Sequence, residues 1–409
     1  MKPLLYLVHR IPYPPNKGDK IRSYHLLKRL TETYRVFLGA FVDDPADWEY
    51  RKELSNLCAD VYLRPLKRLQ ARFRCLEGLV SRRALTLSFY RDAAMQSWVD
   101  GVIDSEGIDQ VVIFSSAMAQ YVEGDIYRDM YRLVDYVDMD SAKWSQYSQN
   151  KPWPKNWLYR REGRLLLDYE RKIASTFDAC FFVSQAERDY FIEYVPSSSG
   201  NSYYYDNGVD TEYFNPALEY ANPYQHDRKI IVFTGAMDYW ANIDAVCWFA
   251  HNIFPSIRKL FRDVSFYIVG SNPAQEVCRL ENEGNIKVTG KVVDVRPYLS
   301  HATLAIAPMR IARGVQNKVL EALAMSCPII ATAPAVQGIT AEHGNGLLVL
   351  NGEKEIETAI SRFLNGDTEV FLNSSGRECV LENYNWDFNV SVLMERLGNG
   401  SKKNNELRK

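Results

Sequence analysis

The sequence has no apolar run approaching the roughly 20 residues that a bilayer-spanning helix needs, so any membrane contact has to be peripheral. Its apolar start, residues 4–8, is cut off by His9, Arg10 and Pro12. That run is too short for the core of a signal peptide and reads as a first strand. Seven cysteines occur, at 58, 75, 180, 247, 278, 327 and 379, with no C-x-x-C pair and no adjacent histidine. Such scatter argues against a disulfide framework and against structural zinc, and it fits a reducing, cytoplasmic setting. There is no H-E-x-x-H, no G-x-S-x-G and no G-x-G-x-x-G after a strand. Zinc hydrolases, serine esterases and nicotinamide or flavin dehydrogenases thereby lose their strongest sequence support. The stretch 284–291 has five residues between its glycines rather than the four of a phosphate loop, and reads as a strand. A net charge of -2 gives no reason to expect nucleic acid as a partner.

What is present is length and alternation. The 409 residues exceed one ordinary core, so two domains with a cleft between them are expected. Short β-rich runs at 5–8, 36–41, 111–114, 133–137 and 180–183 alternate with amphipathic stretches, the pattern of a parallel sheet. Ser184 to Glu187 is a capping-box pattern that starts a helix as a strand ends. The proline-broken segment 217–227 separates this half from a second series at 230–233, 266–269, 286–288, 304–307, 329–331 and 347–349. The expected fold class is therefore α/β, with two Rossmann-like, doubly wound domains at 1–216 and 217–385. A C-terminal helix from 386 is expected to cross back to the first domain, its tail fraying after 397. Glycines such as Gly235 at strand ends let a ligand approach the backbone, or simply make tight turns.

The most informative stretch is 309–332, MRIARGVQNKVLEALAMSCPIIAT, which reads as a loop, a short helix capped by Asn317 and a buried strand. The free N–H groups at the helix start, with Arg313 and Lys318, would make a cationic pocket for a diphosphate. Glu321, one turn in, is placed to accept hydrogen bonds from ribose hydroxyls. A basic loop before a helix is, on these residues alone, equally a solvated surface.

This stretch resembles the donor-binding loop and helix of the family-4 retaining glycosyltransferases, enzymes of the GT-B type, whose pattern is E-x7-E before an alanine-rich helix and P-[VI]-[VI]-A-[ST]. Glu321 stands at the second glutamate, which in that family grips the nucleotide ribose. Arg313 stands where the first, sugar-contacting glutamate is usual. Thr234-Gly235 through Asn242 and Trp248 resembles the family's opening βα unit, but Met237, Asp238 and Ala241 replace the usual diphosphate-neutralising arginine and lysine. PYPPNKGDKIR at 12–22 looks like the N-terminal glycine loop, with Gly18 at the matching place. Asn207, Gly208, Val209 and Asp210 look like the turn before the interdomain linker. FSSAMAQY at 114–121, VDMDS at 137–141 and ARGVQNKVLEALAM are similar to sugar transferases of exosortase and PEP-CTERM exopolysaccharide clusters.

The resemblance implies transfer of a sugar, with retention, from a nucleotide-diphosphate donor to a glycan or lipid-linked glycan, without cofactor or metal. It implies a donor site of Gly18, Gly235, Gln316, Asn317, Lys318 and Glu321, and catalytic roles for Asp138, Asp140 and Arg313. Asp138 takes the place of a histidine that relatives often carry there. Asp138 is expected to contact the donor sugar or orient the acceptor hydroxyl; on residue pattern alone Asp135, Asp138 and Asp140 also read as turn caps and, less well because the resembling family needs no metal, as ligands of a divalent cation. A nucleotide- or glycan-binding protein without catalysis and a nucleotide-sugar epimerase remain as alternatives. The segment 64–91 carries eight basic residues against Glu77, interleaved with apolar ones. It suits either a helix lying on an anionic membrane at the inner face of the cell membrane or a solvated basic face packed on the sheet. A second stretch, 151–164 with Trp153, Trp157 and Tyr159, is expected on the acceptor side.

Overall fold

A computed structural model describes residues 1–15, 18–149, 152–224, 228–312, 315–339, 346–371 and 376–407. They divide into two units, Met1–Asp206 with Asp387–Lys409, and Asn207–Trp386. In the first unit lie β1 (Lys2–Val8), β2 (Tyr34–Val42), β3 (Asp60–Pro65), β4 (Gln110–Phe114), β5 (Tyr131–Val137), β6 (Ala179–Phe182) and β7 (Ser202–Tyr204). They form one sheet in the order β3-β2-β1-β4-β5-β6-β7, every pair parallel. Leu4 to Val8 and Val111 to Phe114 are fully buried, as expected of strands that are covered on both faces.

The second unit holds β8 (Lys229–Thr234), β9 (Val264–Val269), β10 (Ile286–Gly290), β11 (Leu304–Ala307), β12 (Ile329–Ala331) and β13 (Leu347–Val349). Their order is β10-β9-β8-β11-β12-β13, again all parallel. In each sheet the order reverses once, between β1 and β4 and between β8 and β11. Ligands of such sheets bind beyond the carboxyl ends of the strands at that reversal.

Every strand expected from the sequence is present, and the two-domain α/β expectation holds. Two boundaries differ. Residues 207–216 belong to the second unit, because a Cβ on Gly208 would lie 2.8 Å from Trp386 and Val209 pairs with Asn385 and bonds Tyr384 O at 2.8 Å. The last helix does not fray after 397 but runs from Trp386 to Leu407. Gln110 Nε2 donates to Leu397 O at 3.0 Å, and Gly400 packs closely on the Tyr131 ring. The basic segment does not present all its apolar residues to the core: Leu66 is buried there, while Leu69, Phe73 and Leu76 on the Arg68–Val80 helix are exposed. Among the described residues no helix is long and apolar enough to cross a membrane.

The Lys155–Thr176 helix buries Glu170 against the start of the Asp140–Gln149 helix, where its carboxylate accepts from Ser141 N at 3.2 Å and from Ser141 Oγ. Burial, with Asp140 nearby, pushes this carboxyl up to about 8, while the Ser141 hydrogen bonds oppose the rise. Unfolded, a glutamate titrates near about 4.3. Between these values the folded state binds the extra proton, so stability falls as pH rises from about 5 to 8. The Glu170→Gln variant is expected to show a flatter dependence of Tm on pH over that range. Parallel curves for the two proteins would refute the assignment.

Candidate functional site

At the reversal point of the second sheet, β8 ends in Thr234 and Gly235. Gly235 has a φ of 153° and donates its N–H to Val269 O at 3.0 Å. A side chain would be strained here by that φ, and its Cβ would press on Asn242 Nδ2 at 2.8 Å and Lys318 Nζ at 3.2 Å. On the neighbouring strand a Cβ at Gly270 would lie 1.6 Å from Gly235 O, so the two backbones touch. The structure therefore brings together two residues 83 positions apart in sequence, Gly235 and Lys318.

Lys318 sits in the first turn of the Asn317–Ala324 helix. Its ammonium donates to Asn242 Oδ1, lies 4.2 Å from the centre of the Phe233 ring and is 3.9 Å from Met309 Sδ. Asn242 is itself fixed, its Nδ2 donating to Ala236 O at 2.8 Å. Burial pulls Lys318 down to about 7, against the opposing charge of Glu321 one turn away. Burial likewise pushes Glu321 up to about 7, against Lys318. Both side chains are half-buried rather than sealed. The helix is amphipathic in the way its spacing implies, burying Val319, Leu320 and Leu323.

One expectation is corrected. Asn317 is the first helical residue, not the cap: Gln316 holds the cap position, and its side chain makes no capping bond. Asn317 Oδ1 is buried, and among the described residues it has no hydrogen-bond partner. Arg313 lies outside the described residues. A shallow, widely open depression lies at the carboxyl ends of β11 and β12, lined by Arg310, Ile311, Ala312, Ala333, Pro334, Val336 and Gln337. Its lining does not include Glu321 or Lys318, the latter standing at the end of β8.

In the first unit the carboxyl ends of β1, β4 and β5 gather a second group. His9 stacks on Phe114 with centroids 5.9 Å apart and meets Tyr90 edge-on. Its Nε2 is 3.4 Å from Asp19 Oδ2, and among the described residues its buried Nδ1 has no partner. Arg10 pairs with both Asp19, at 2.5 Å, and Asp43, at 3.0 Å. Burial alone would raise the Asp19 carboxyl, but the hydrogen bond from His9 and the charges of His9 and Arg10 hold it well below the usual carboxylate range. Gly18 opens the Gly18–Thr33 helix, and a Cβ there would meet nothing within 4 Å.

Asp138 and Asp140 share one partner, Lys143, at 2.7 and 3.4 Å. Burial works to lower the Lys143 ammonium, yet Asp140 and Asp138 raise it. Asp135 is not part of this group. Fully buried, it takes the Arg22 guanidinium at 2.8 and 3.3 Å, the Tyr205 hydroxyl and the Val137 N–H at 3.0 Å. The three aspartates therefore do not gather as ligands of one cation. Val137 and Ser115, at adjoining strand ends, adopt φ values of 68° and 77°. Strain of that kind, in a β-branched residue above all, concentrates at functional sites.

Sequence reasoning passed over Asn242 as a site residue and did not foresee the Arg10, Asp19 and Asp43 cluster. Asn242 was legible only as part of a strand-turn-helix match. The cluster joins residues from three separate segments, which no local pattern announces.

Comparisons with known proteins bear on the second unit's family and on the fold. Residues 228–366 match the family model described as glycosyl transferases group 1. An uncharacterized 44.6 kDa protein in the cps region of Klebsiella pneumoniae is 21% identical over 393 residues, covering 91% of this chain and 94% of that protein. Among solved structures, the sucrose-phosphate synthase of Thermosynechococcus elongatus superposes with a TM-score of 0.70 at 18% identity, covering 98% of each chain. Alr3699/HepE of Anabaena, in complex with UDP-glucose, gives 0.66 at 12% identity, covering 97% of this chain and 99% of that one. The fold is thus the GT-B type expected from the sequence.

Proposed function

We propose that this chain, a GT-B protein whose second unit carries a glycosyl transferases group 1 segment, transfers a sugar from a nucleotide-diphosphate donor to a glycan or lipid-linked glycan. The observation that carries this reading is the Gly235, Asn242, Lys318 and Glu321 arrangement at the β8/β11 reversal. A bare glycine backbone, a half-buried ammonium and a carboxylate one turn on are what a diphosphate and a ribose require together. Asn242 aims Lys318, and the unpartnered Asn317 Oδ1 offers a further acceptor to a donor hydroxyl. We assign Gln316 and Arg313 to the same site; Arg313 stands where the resembling family has its sugar-contacting glutamate and, with Lys318, takes over the diphosphate from that family's missing arginine and lysine.

As the bond to the leaving phosphate breaks, charge develops on its oxygens, and preplaced cations stabilise it. We assign Gly18, Asp138 and Asp140 to the sugar and acceptor side, with Lys143 holding the two carboxylates in position. Retention follows the front-face course implied by the resemblance, the leaving phosphate receiving the acceptor's proton without metal or cofactor. The cps-region relative favours polysaccharide assembly as the setting.

A thermal-shift screen with UDP-, GDP- and ADP-sugars, followed by a nucleotide-release assay, tests the proposal. We expect one nucleotide class to raise Tm and to be released faster with a glycan acceptor than without. Binding without release would make the chain a binding protein, and conversion of the donor with no acceptor would make it an epimerase. Either result would overturn the transferase reading.

A further inference from the structure

The Arg68–Val80 helix is built the wrong way round for a soluble surface. Its inward face carries small residues: Ala71 is buried, and Gly78 is pressed so closely on Ser88 that a Cβ would lie 2.5 Å from Ser88 Oγ. Arg74, whose guanidinium donates to Ser88 O at 3.2 Å and Phe89 O at 3.0 Å, holds that face to the Leu85–Phe89 helix. The outward face carries the large apolar side chains. Leu69, Phe73 and Leu76, spaced as one helical stripe, are 71%, 71% and 58% exposed.

This hairpin is fastened to the Lys155–Thr176 helix by two consecutive residues. Arg161 donates to Gly78 O at 2.9 Å and Leu79 O at 3.3 Å, and buried Glu162 accepts from Leu85 N at 2.7 Å and Thr86 N at 2.8 Å. Trp157 precedes Arg161 by one helical turn and so lies on the side of that helix that meets the hairpin. It is 57% exposed, and Trp153, just before the helix, is 79% exposed. Lys67, Arg72, Arg82, Arg91, Arg160 and Arg164 are exposed on these same segments.

We infer that the stripe of Leu69, Phe73 and Leu76, with Trp153 and Trp157, is a docking surface for an anionic lipid bilayer. Apolar residues of this size enter the acyl boundary, tryptophans settle at the headgroup level and the surrounding arginines meet anionic headgroups. A protein partner of ordinary composition accounts for the apolar stripe but not for its predominantly basic rim, in which Glu77 is the one exposed acid on the Arg68–Val80 helix. The surface is independent of the donor site, so it stands or falls separately from the transferase reading.

The test is flotation of the full chain with vesicles of phosphatidylcholine alone or mixed with phosphatidylglycerol. We expect flotation only with the anionic vesicles, weakened in ~0.5 M salt. Leu69→Glu with Phe73→Glu, and separately Trp153→Ala with Trp157→Ala, should each reduce the bound fraction about tenfold or more. These residues are exposed, so circular dichroism and Tm should match the parent chain. Absence of flotation with anionic vesicles, or equal flotation of both variants, overturns the inference. A dimer in light scattering that the glutamate variant abolishes, with no flotation, would assign the stripe to a second copy of the chain instead.

Discussion

Asp135→Ala is expected to destabilise the first unit by about 3–5 kcal/mol, the range for removing one partner of a buried ion pair. Arg22 and Asp135 are both wholly inaccessible, and the guanidinium also donates to Tyr205 O at 2.9 Å and Phe182 O at 3.2 Å while lying 3.5 Å from the Tyr205 ring centre. Those neutral partners stay behind in the variant, but none neutralises the cation. The loss extends to the strained turn, because the Asp135 carboxylate also receives the Val137 N–H. Replacing both members, as Arg22→Met with Asp135→Leu, removes the stranded charge and should recover most of the stability. Urea unfolding of the single and double variants checks this. If Asp135→Ala unfolds at the parent's midpoint, the pair has no structural role.

A second large effect is expected at the donor site. Glu321→Ala and Lys318→Met should each weaken nucleotide binding by roughly 1.5–3 kcal/mol, about ten- to over a hundredfold. The pH dependence is more diagnostic than the magnitude. Lys318 and Glu321 both titrate near about 7 in the free protein. The donor's diphosphate favours the ammonium of Lys318, and the ribose hydroxyls favour the carboxylate of Glu321. Affinity should therefore peak near about pH 7, weakening below as Glu321 takes a proton and above as Lys318 loses one. Glu321→Gln should lose the acidic limb alone. A flat calorimetric profile for the parent chain between about pH 5.5 and 8.5 would count decisively against both roles.

The architecture was readable because parallel strands buried on both faces are continuous apolar runs, and each run found in the sequence became a strand. The two missed strands, β3 and β7, are the outermost of the first sheet. β3 carries alternate exposed positions, and β7 is three residues long, so neither leaves an apolar run to find. At the site, the basic loop and the glutamate of one helix were legible, since they lie within nine positions of each other. What aims Lys318 was not: Asn242 sits 76 residues upstream and reads locally as one more polar residue at a helix start. Arg22 reads as the end of the glycine-loop match at 12–22, yet it is a fully buried ion-pair partner of a residue 113 positions away. Pairings of that range follow from strand order, which composition and periodicity do not specify. The capping of the 317–324 helix was misplaced by one residue because an asparagine there satisfies the pattern at either position.

The meeting of Gly235 and Gly270 limits how this protein can change. With carbonyl and α-carbon already in contact, Gly270 accepts not even a methyl group without parting the two backbones, and at Gly235 one would press on Asn242 and Lys318. On the proposed reading this is the floor beneath the donor's phosphates, and its backbone has no room to vary. New selectivity for a sugar or a base would have to arise in the walls, through side chains on the 310–312 and 333–337 segments, where the backbone leaves room.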